Sequence, residues 1–476
     1  AMTARAAAAE FPADLEWVNA THAPQLAELR GRVILLWFWT YDSVNCWSLV
    51  PDLRFLEDKY HDGLTVFGVH CPKYPQQVPG DGVLRAVNRH RLRHAVANDP
   101  GFRLWQDYGV DAWPSIALID AEGRFAALFA GEGRRGEIDA AIGRLLEEAA
   151  LRDLRVYEPS PPALRPEPRL PLAFPGKLLA DAKHLYVADS GHHRILECTH
   201  DGRVVRQFGS GNPGFSDGLQ GEACLNDPQG LARWRDSLFV ADRGNHAVRR
   251  IALGNGTVDT LTGRGRAGRS RPHETPGRDA VLHSPGDLAI VGDDLYVAMS
   301  GLHQIWRIHL STEQVSVLAG SGQLDLADGV GGGASFAQPS ALGVLGRHLA
   351  VADAASSSIR WVHIDDARVE TALGAGLYEF GDAAGLLNEA RLSNPLGIAV
   401  DPRGIVFIAD SYNNAIKVLN RKSGEVRALR INYRFAEPSG LSLAAGALWV
   451  ANRNLHEVMR IDLATGAAKH VGVGEA

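Results

Sequence analysis

One cysteine, Cys46, lies at a junction where a reactive thiol is expected. It ends the segment Trp39-Thr-Tyr-Asp-Ser-Val-Asn-Cys46, which follows an apolar run and precedes a helical pattern over residues 47–60. A helix N-terminus favours negative charge and can therefore raise the thiolate content of a nearby cysteine. The residue three positions earlier is Ser43, whose hydroxyl cannot form a disulfide. The loop therefore cannot carry out a two-thiol exchange by itself.

The same residues also have a structural interpretation. Ser43 and Asp42 are residue types that cap helices, and Cys46 is often a small buried side chain in proteins. Asp42 would also place negative charge near the thiol and disfavour the thiolate. This interpretation predicts that the fold is kept and that the thiol chemistry at Cys46 is lost.

Cys71 offers an alternative in which redox chemistry is kept. It follows the apolar run 64–69 as Cys46 follows the run 33–38. The carboxyl ends of neighbouring parallel strands gather at one edge of a sheet. A Cys46–Cys71 pair, and with it a working thiol–disulfide oxidoreductase, is therefore the alternative hypothesis.

Aromatic residues and a proline are expected at the same edge. Trp39, Trp47 and Trp113 are interpreted either as an apolar groove for an extended peptide, together with Asn45, or as core packing. Pro114 directly precedes a predicted strand, and an X-Pro bond is the plausible site of a cis peptide. Pro114 is therefore a candidate cis-proline, because this region resembles thioredoxin-like proteins, whose fold keeps a cis-proline at that place.

Residues 1–150 alternate between strand and helix patterns. Continuous apolar runs over 33–38 and 64–69 predict buried parallel strands. The segments 115–119 and 124–129 are separated by a short turn and predict a hairpin. Helices are predicted over 47–60, 81–93 and 135–149. Pro51 stands where the helices of thioredoxin-like proteins, which this region resembles, carry a kinking proline. These elements predict an α/β domain.

A proline-rich segment separates this region from the rest of the chain. Five prolines lie between Pro159 and Pro168, a composition typical of a semi-rigid spacer. We therefore predict a linker over 151–169.

A repeat occupies residues 170–476. One strand pattern returns at intervals of 42 to 57 residues, and its six copies are Leu185–Asp189, Leu238–Asp242, Leu295–Met299, Leu349–Asp353, Val406–Asp410 and Leu448–Asn452. A period of this length with four short strands per unit is typical of a β-propeller. The sequence predicts six blades. Either residues 170–174 or the run 469–473 could supply the outer strand of the last blade, and the sequence does not decide between them.

Histidines recur at one position of the repeat. They are His193, His246, His303 and His456, with Ser358 and Asn414 expected at that position in the other blades. A residue that returns in every blade indicates a structural tie, whereas a metal site needs a cluster in one place. No metal and no cofactor are predicted. Cys198 and Cys224 are expected to be buried thiols.

Composition limits the function further. The formal charge of −6 argues against a dedicated nucleic-acid binder, although five arginines in one probable loop are an exception: Arg264, Arg266, Arg269, Arg271 and Arg278. No apolar run is long enough for a membrane span, and the N-terminus lacks a signal-peptide core, so the cytoplasm is expected. The oligomeric state does not follow from the sequence.

Taken together, these motifs resemble thioredoxin-like proteins fused to NHL-repeat propellers. The NHL signature is visible in Asp189–Ile195, Asp242–Val248 and Asp410–Ile416. Members of that family commonly carry Cys-Cys-x-Asn-Cys at the loop that ends in Cys46. Asp42 and Ser43 replace the two leading cysteines here.

The resemblance implies a role in redox homeostasis, which this chain would perform without the usual thiol pair. The leading hypothesis is a protein- or peptide-binding module that acts through a propeller rim and a thioredoxin-like groove. The alternative is the oxidoreductase that uses Cys46, with Cys71 as its second thiol.

Overall fold

The computed structural model describes residues 4–160, 169–269 and 272–475. The chain divides into two compact units, residues 1–168 and 169–476, which are described separately. Most of the proline-rich segment, and Arg271 of the arginine-rich loop, lie outside the described residues. Among the residues the structure describes, no helix has the length and apolarity to cross a membrane.

The first unit is a mixed sheet flanked by helices. Its strands are β1 (Glu16–Val18), β2 (Val33–Trp39), β3 (Leu64–His70), β4 (Val96–Asn98), β5 (Ser115–Ile119) and β6 (Phe125–Ala130). Its helices are α1 (Val44–Trp47), α2 (Val50–Lys59), α3 (Gly80–Arg89), α4 (Arg103–Asp107) and α5 (Arg135–Leu151). The sheet order is β1-β4-β3-β2-β5-β6.

The central strands behave as their composition predicts. β2 and β3 pair in parallel, and every residue of both is buried. β5 and β6 form the predicted antiparallel hairpin, closed by a hydrogen bond from Gly123 N to Asp120 O at 2.9 Å. This α/β arrangement is the expected thioredoxin-like fold.

One local prediction for this unit was wrong. The helix expected over 47–60 is split into α1 and α2, and Pro51 lies in the first turn of α2, where a missing N–H costs nothing, instead of kinking one helix. The start of the predicted linker packs on the unit, since Val156 N donates to Gly31 O at 3.0 Å.

Six antiparallel sheets form the second unit. Their four main strands, blade by blade, are Lys177–Ala180, Leu185–Asp189, Arg194–Cys198 and Val204–Phe208; Pro228–Trp234, Ser237–Asp242, Ala247–Ala252 and Val258–Gly263; Pro285–Val291, Asp294–Met299, Gln304–His309 and Gln314–Ala319; Pro339–Leu345, His348–Asp353, Ser358–His363 and Arg368–Leu373; Gly397–Val400, Ile405–Asp410, Ala415–Asn420 and Glu425–Ala428; Pro438–Ala444, Ala447–Asn452, Glu457–Asp462 and Ala468–Val471. Blades 3, 4 and 5 add a two-residue outer strand: Thr275–Pro276, Gly329–Val330 and Gly385–Leu386. The first strands of successive blades pack against one another in a closed ring, which confirms the six-bladed propeller.

The ring closes without a shared blade. The last blade takes its outer strand from Ala468–Val471, as one of the two expectations had it, and residues 170–174 form no strand. Ser439 Oγ donates to Gly176 O at 2.7 Å, and Ala180 N donates to Ser442 Oγ at 3.0 Å. Packing and hydrogen bonds therefore join the last blade to the first.

The recurring histidine position ties each blade to the next. Nδ1, Oγ or Oδ1 of this residue accepts a backbone N–H of the following blade at 2.8–3.1 Å. The pairs are His193 with Asp227, His246 with Ser284, His303 with Gln338, Ser357 with Asn394, Asn414 with Glu437, and His456 with Phe174. The residue in blade 4 is Ser357, so the expectation of Ser358 was wrong by one position.

We call these six hydrogen bonds between neighbouring blades the inter-blade clamp. Backbone geometry explains which residue types form it. All six acceptor residues have φ between 48° and 56°, a left-handed conformation that His and Asn adopt more readily than most residues. Their six partners also have positive φ, and each directly precedes a proline that disfavours the right-handed helical region. The clamp occupies Nδ1 of all four histidines. Among the described residues, no group of three His, Cys, Asp or Glu side chains is placed to hold a metal.

A buried polar residue ends the second strand of five blades. One side-chain oxygen of Asp189, Asp242, Asp353, Asp410 and Asn452 accepts a backbone N–H at 2.8 Å. In blades 2, 4 and 5 the other oxygen pairs with a cation seven residues later: Arg249 at 2.9 Å, Arg360 at 3.2 Å and Lys417 at 2.9 Å. Blade 3 has Met299 and Trp306 at these two positions, which shows that the fold accepts an apolar pair.

The buried cations also hold the loops that enter their blades. Arg249 donates to Asp217 at 2.9 Å, Arg360 to Asp328 at 3.2 Å, and Lys417 to Asp382 at 2.8 Å. The aspartates of these three entry loops therefore face protein cations.

We predict that the His303 clamp stabilises the propeller. Changing His303 to Ala leaves the buried N–H of Gln338 without its acceptor, which costs about 1–3 kcal/mol. His303→Asn is the matched control, because Asn414 fills this position in blade 5. Calorimetry should show a lower melting temperature for the propeller transition in the alanine variant than in the asparagine variant. Equal losses in the two variants would contradict the clamp.

We also predict that changing one partner of the Asp242–Arg249 pair lowers the stability of the protein more than changing both partners. Arg249→Met alone leaves a buried carboxylate unpaired and should destabilise by about 3–5 kcal/mol. Asp242→Asn with Arg249→Met reproduces the Asn452 and Met459 of blade 6 and should recover part of that loss. Urea unfolding of both single variants and the double variant measures the coupling. If the losses in free energy of unfolding of the two single variants simply add in the double variant, the two residues are not coupled.

Candidate functional site

Ser43 caps the helix that carries Cys46. β2 ends at Trp39, and four residues later Ser43 has extended backbone angles and begins the single turn of α1. The Ser43 hydroxyl accepts the backbone N–H of Cys46 at 3.4 Å. Its side chain therefore has the capping role that the structural interpretation predicts.

Cys46 is a buried, protonated thiol. Its side chain has no exposed surface. Burial raises the pKa of the Cys46 thiol to about 12, and the negative charges of Asp42 and Glu132 act in the same direction. Because the thiolate is the nucleophile in disulfide exchange, this environment suppresses the reaction.

Two acidic residues organise the loop around Cys46. Asp42 is buried and accepts hydrogen bonds from Thr40 Oγ1 at 2.7 Å and Gln77 Nε2 at 2.9 Å. Glu132, just after β6, accepts from Asn45 Nδ2 at 2.9 Å and from the hydroxyl of Ser48. Gln77 and Glu132 lie far from Cys46 in the sequence. No local motif points to them, so the sequence prediction missed both.

Cys71 lies at the end of β3, at the same sheet edge. Its backbone N–H donates to Trp39 O at 2.9 Å, and its thiol lies 3.9 Å from Asp99 Oδ2. Burial raises its pKa well above the usual value, and the charge of Asp99 raises it further. Cys46 and Cys71 are both free thiols in this structure.

The aromatic residues divide into core and edge. Trp39 has no exposed surface, and its ring stacks on Trp37 at 4.8 Å. Gly68 leaves room for its indole, since a Cβ there would lie 2.8 Å from Nε1. Of its two interpretations, groove residue and core packing, Trp39 therefore fits the second, because the residue belongs to the core.

Trp47 and Trp113 are half-buried at the edge. Trp47 Nε1 donates to Tyr41 O at 2.9 Å, and Trp113 Nε1 donates to Cys71 O at 3.1 Å. These bonds hold both indoles while part of each ring remains accessible. The peptide bond between Trp113 and Pro114 is cis, the isomer expected of this candidate.

The two propeller cysteines differ from each other. Cys198 is buried as expected, and burial raises its pKa to about 12. Cys224 is half-buried and lies 3.3 Å from the hydroxyl of Ser210, so the expectation of a fully buried thiol was wrong for this residue.

Fold and site together define a class: a thioredoxin-like unit with one thiol where two are usual, in the same chain as a six-bladed propeller. The NHL repeat family matches residues 392–419. NHL repeat-containing protein 2 of Homo sapiens is 33% identical over 515 aligned residues, which cover 96% of this chain and 70% of that protein. The chain belongs to the family of NHL repeat-containing protein 2.

Two further relatives match different extents of the chain. Protein SUPPRESSOR OF QUENCHING 1, chloroplastic, of Arabidopsis thaliana is 35% identical over 96% of this chain, and this chain spans only 47% of that protein. Thiol-disulfide oxidoreductase ResA of Bacillus anthracis is 26% identical over 25% of this chain and 68% of that protein.

We predict that Cys46 is inert in the folded protein. With a pKa of about 12, its thiolate fraction at pH 7.5 is about a thousandfold or more below that of an ordinary cysteine. Iodoacetamide labelling with peptide mapping should therefore modify Cys46 only after unfolding. Half-buried Cys224 is the internal control and should react in the folded protein. Labelling of Cys46 as fast as Cys224 would contradict the prediction.

Proposed function

We propose that this protein is a protein- or peptide-binding module linked to redox homeostasis, and that it does not use a thioredoxin-type thiol pair. The observation that carries the proposal is the burial of Cys46, which keeps its thiol protonated. Ser43 stands where the attacking thiol would be, and its hydroxyl is engaged as a helix cap.

The edge of the first unit supplies the proposed peptide groove. Trp47 and Trp113 present partly exposed aromatic faces, a kind of surface enriched where proteins bind one another. Asp111 and Ala112 are exposed directly before Trp113. We propose that an extended chain lies beside these two residues along the edge, as in β-strand addition.

A propeller rim is the second surface in the proposal. The entry loops of blades 2, 4 and 5 are held by the buried cations Arg249, Arg360 and Lys417. A loop held in this way loses little conformational entropy on binding a partner.

The redox link rests on two supports. One relative is by name a thiol-disulfide oxidoreductase, and this chain keeps Cys46 and Cys71 at one sheet edge. All four cysteines are free, which suits a reducing compartment, and we therefore propose the cytoplasm.

The thiol part of the proposal is tested by insulin reduction in the presence of dithiothreitol. Wild type should show no turnover above background, because Cys46 is protonated and has no partner thiol in its loop. Ser43→Cys restores the two-thiol motif and should gain turnover, whereas Ser423→Cys, in an exposed turn, should not. Wild-type turnover that Cys46→Ser abolishes would overturn the proposal in favour of the oxidoreductase that uses Cys46.

The binding part is tested with a labelled, reduced and carboxymethylated insulin B chain in fluorescence polarisation. Trp113→Ala should weaken binding about tenfold or more, as expected for loss of an aromatic anchor. Cys46→Ser should leave binding unchanged. Trp234→Ala removes a half-buried tryptophan of the propeller and is the matched control. No wild-type binding, or equal losses in the two tryptophan variants, would contradict the groove.

A further inference from the structure

A cavity of about 220 Å³ lies where the first strands of all six blades converge. Apolar side chains such as Leu231, Leu288 and Ile398 form part of its wall. Charged groups of opposite sign, Lys177 and Asp287, are also among its lining residues. The volume equals that of several water molecules, so a compound of a few carbon atoms fits.

Lys177 is held in a geometry that suits a neutral amine. The side chain is buried, with 7% of its surface exposed. Nζ donates to Ser340 O at 3.0 Å and to Leu396 O, and these two carbonyls are its hydrogen-bond partners among the described residues. A neutral amine has two N–H bonds and one lone pair. With both N–H bonds engaged, the lone pair remains for a ligand in the cavity.

Charges around the amine act in both directions. Burial lowers the pKa of Lys177 to about 8, the carboxylate of Asp287 opposes that shift, and the cations Arg243 and Arg453 add to it. At pH 7.5 about a quarter of such an amine is neutral, against about 0.1% for an ordinary lysine. Arg233 also lines the cavity.

Asp287 lies in the first strand of blade 3 and is fixed by two hydrogen bonds. Its carboxylate accepts the backbone N–H groups of Leu288 and Leu342, each at 2.9 Å, which join blades 3 and 4. Burial raises the pKa of Asp287 above that of an exposed aspartate, and the charge of Lys177 opposes that shift.

Lys417 shows what a structural lysine looks like in the same fold. It is also buried, but Nζ pairs with Asp410 at 2.9 Å and Asp382 at 2.8 Å. These carboxylates hold it in the charged form, and it does not line the cavity. Lys177 differs because its Nζ is hydrogen-bonded to neutral carbonyls and because the residue lines the cavity.

We propose that Lys177 captures a small aldehyde in the propeller channel as an imine. The Nζ lone pair forms the N–C bond, and the carbonyl π electrons move to oxygen. Two protons pass from nitrogen to that oxygen, which leaves as water, and a C=N bond results. The site is separate from the thioredoxin-like edge and does not depend on the proposed function.

The test is reductive trapping on the full chain with propanal and sodium cyanoborohydride, read by peptide mapping. At pH 7.5 Lys177 should be alkylated about tenfold faster than exposed Lys183, Lys422 and Lys469, because far more of it is neutral. Its rate should saturate with propanal concentration and level off above about pH 8. The rates of the exposed lysines should keep rising with pH.

Two variants and one internal control complete the experiment. Lys177→Met should remove the fast phase and Lys183→Met should retain it, while Lys417 should stay unmodified in every protein. The proposal would be overturned if Lys177 were not labelled, or were labelled no faster than the exposed lysines. A labelling rate that rises linearly with propanal concentration would also overturn it. Lys177 would then be a structural cation of the channel.

Discussion

The hydrogen bond that joins each blade to the next is the interaction on which the propeller depends. Without a shared blade, closure relies on contacts of side chains and backbone between neighbours. At every junction a residue in the left-handed conformation accepts an N–H from the residue before a proline. The bond between His456 and Phe174 is the same contact between the last blade and the first. Six equivalent contacts align the first strands, and their alignment creates the cavity that holds Lys177.

Burial determines the chemistry in both units, with opposite consequences. Removal of water favours the neutral form of any ionisable group. For Cys46 the neutral form is the unreactive thiol, so a cysteine at a position typical of redox sites becomes inert. For Lys177 the neutral form is the nucleophile, so this lysine in the ring of first strands gains reactivity. In blades 2, 4 and 5 each buried carboxylate has a cation within hydrogen-bond distance. These buried groups are therefore paired, unlike Cys46 and Lys177.

Much of the fold was predictable because its signals are local and repeated. The strand pattern that ends in Val-Ala-Asp returns often enough to define the blades, and continuous apolar runs identify β2 and β3 as buried parallel strands. Predictions failed, or left two interpretations open, where a single residue had to be placed. Ser357 and Ser358 are identical in type, so only the backbone conformation shows which one accepts from Asn394. Trp39 and Trp113 look alike as edge residues, and only packing shows that Trp39 lies beneath the surface.

The sequence by itself determined the two-part architecture, the number of blades and the loss of the paired thiols, because each of these follows from residue type and spacing along the chain. Tertiary structure alone decided which groups are charged and which are accessible. Glu132 lies near Cys46, and Lys177 shares a cavity with Asp287, only because distant segments fold together. Burial and long-range charge depend on three-dimensional distance, which separation along the chain does not encode.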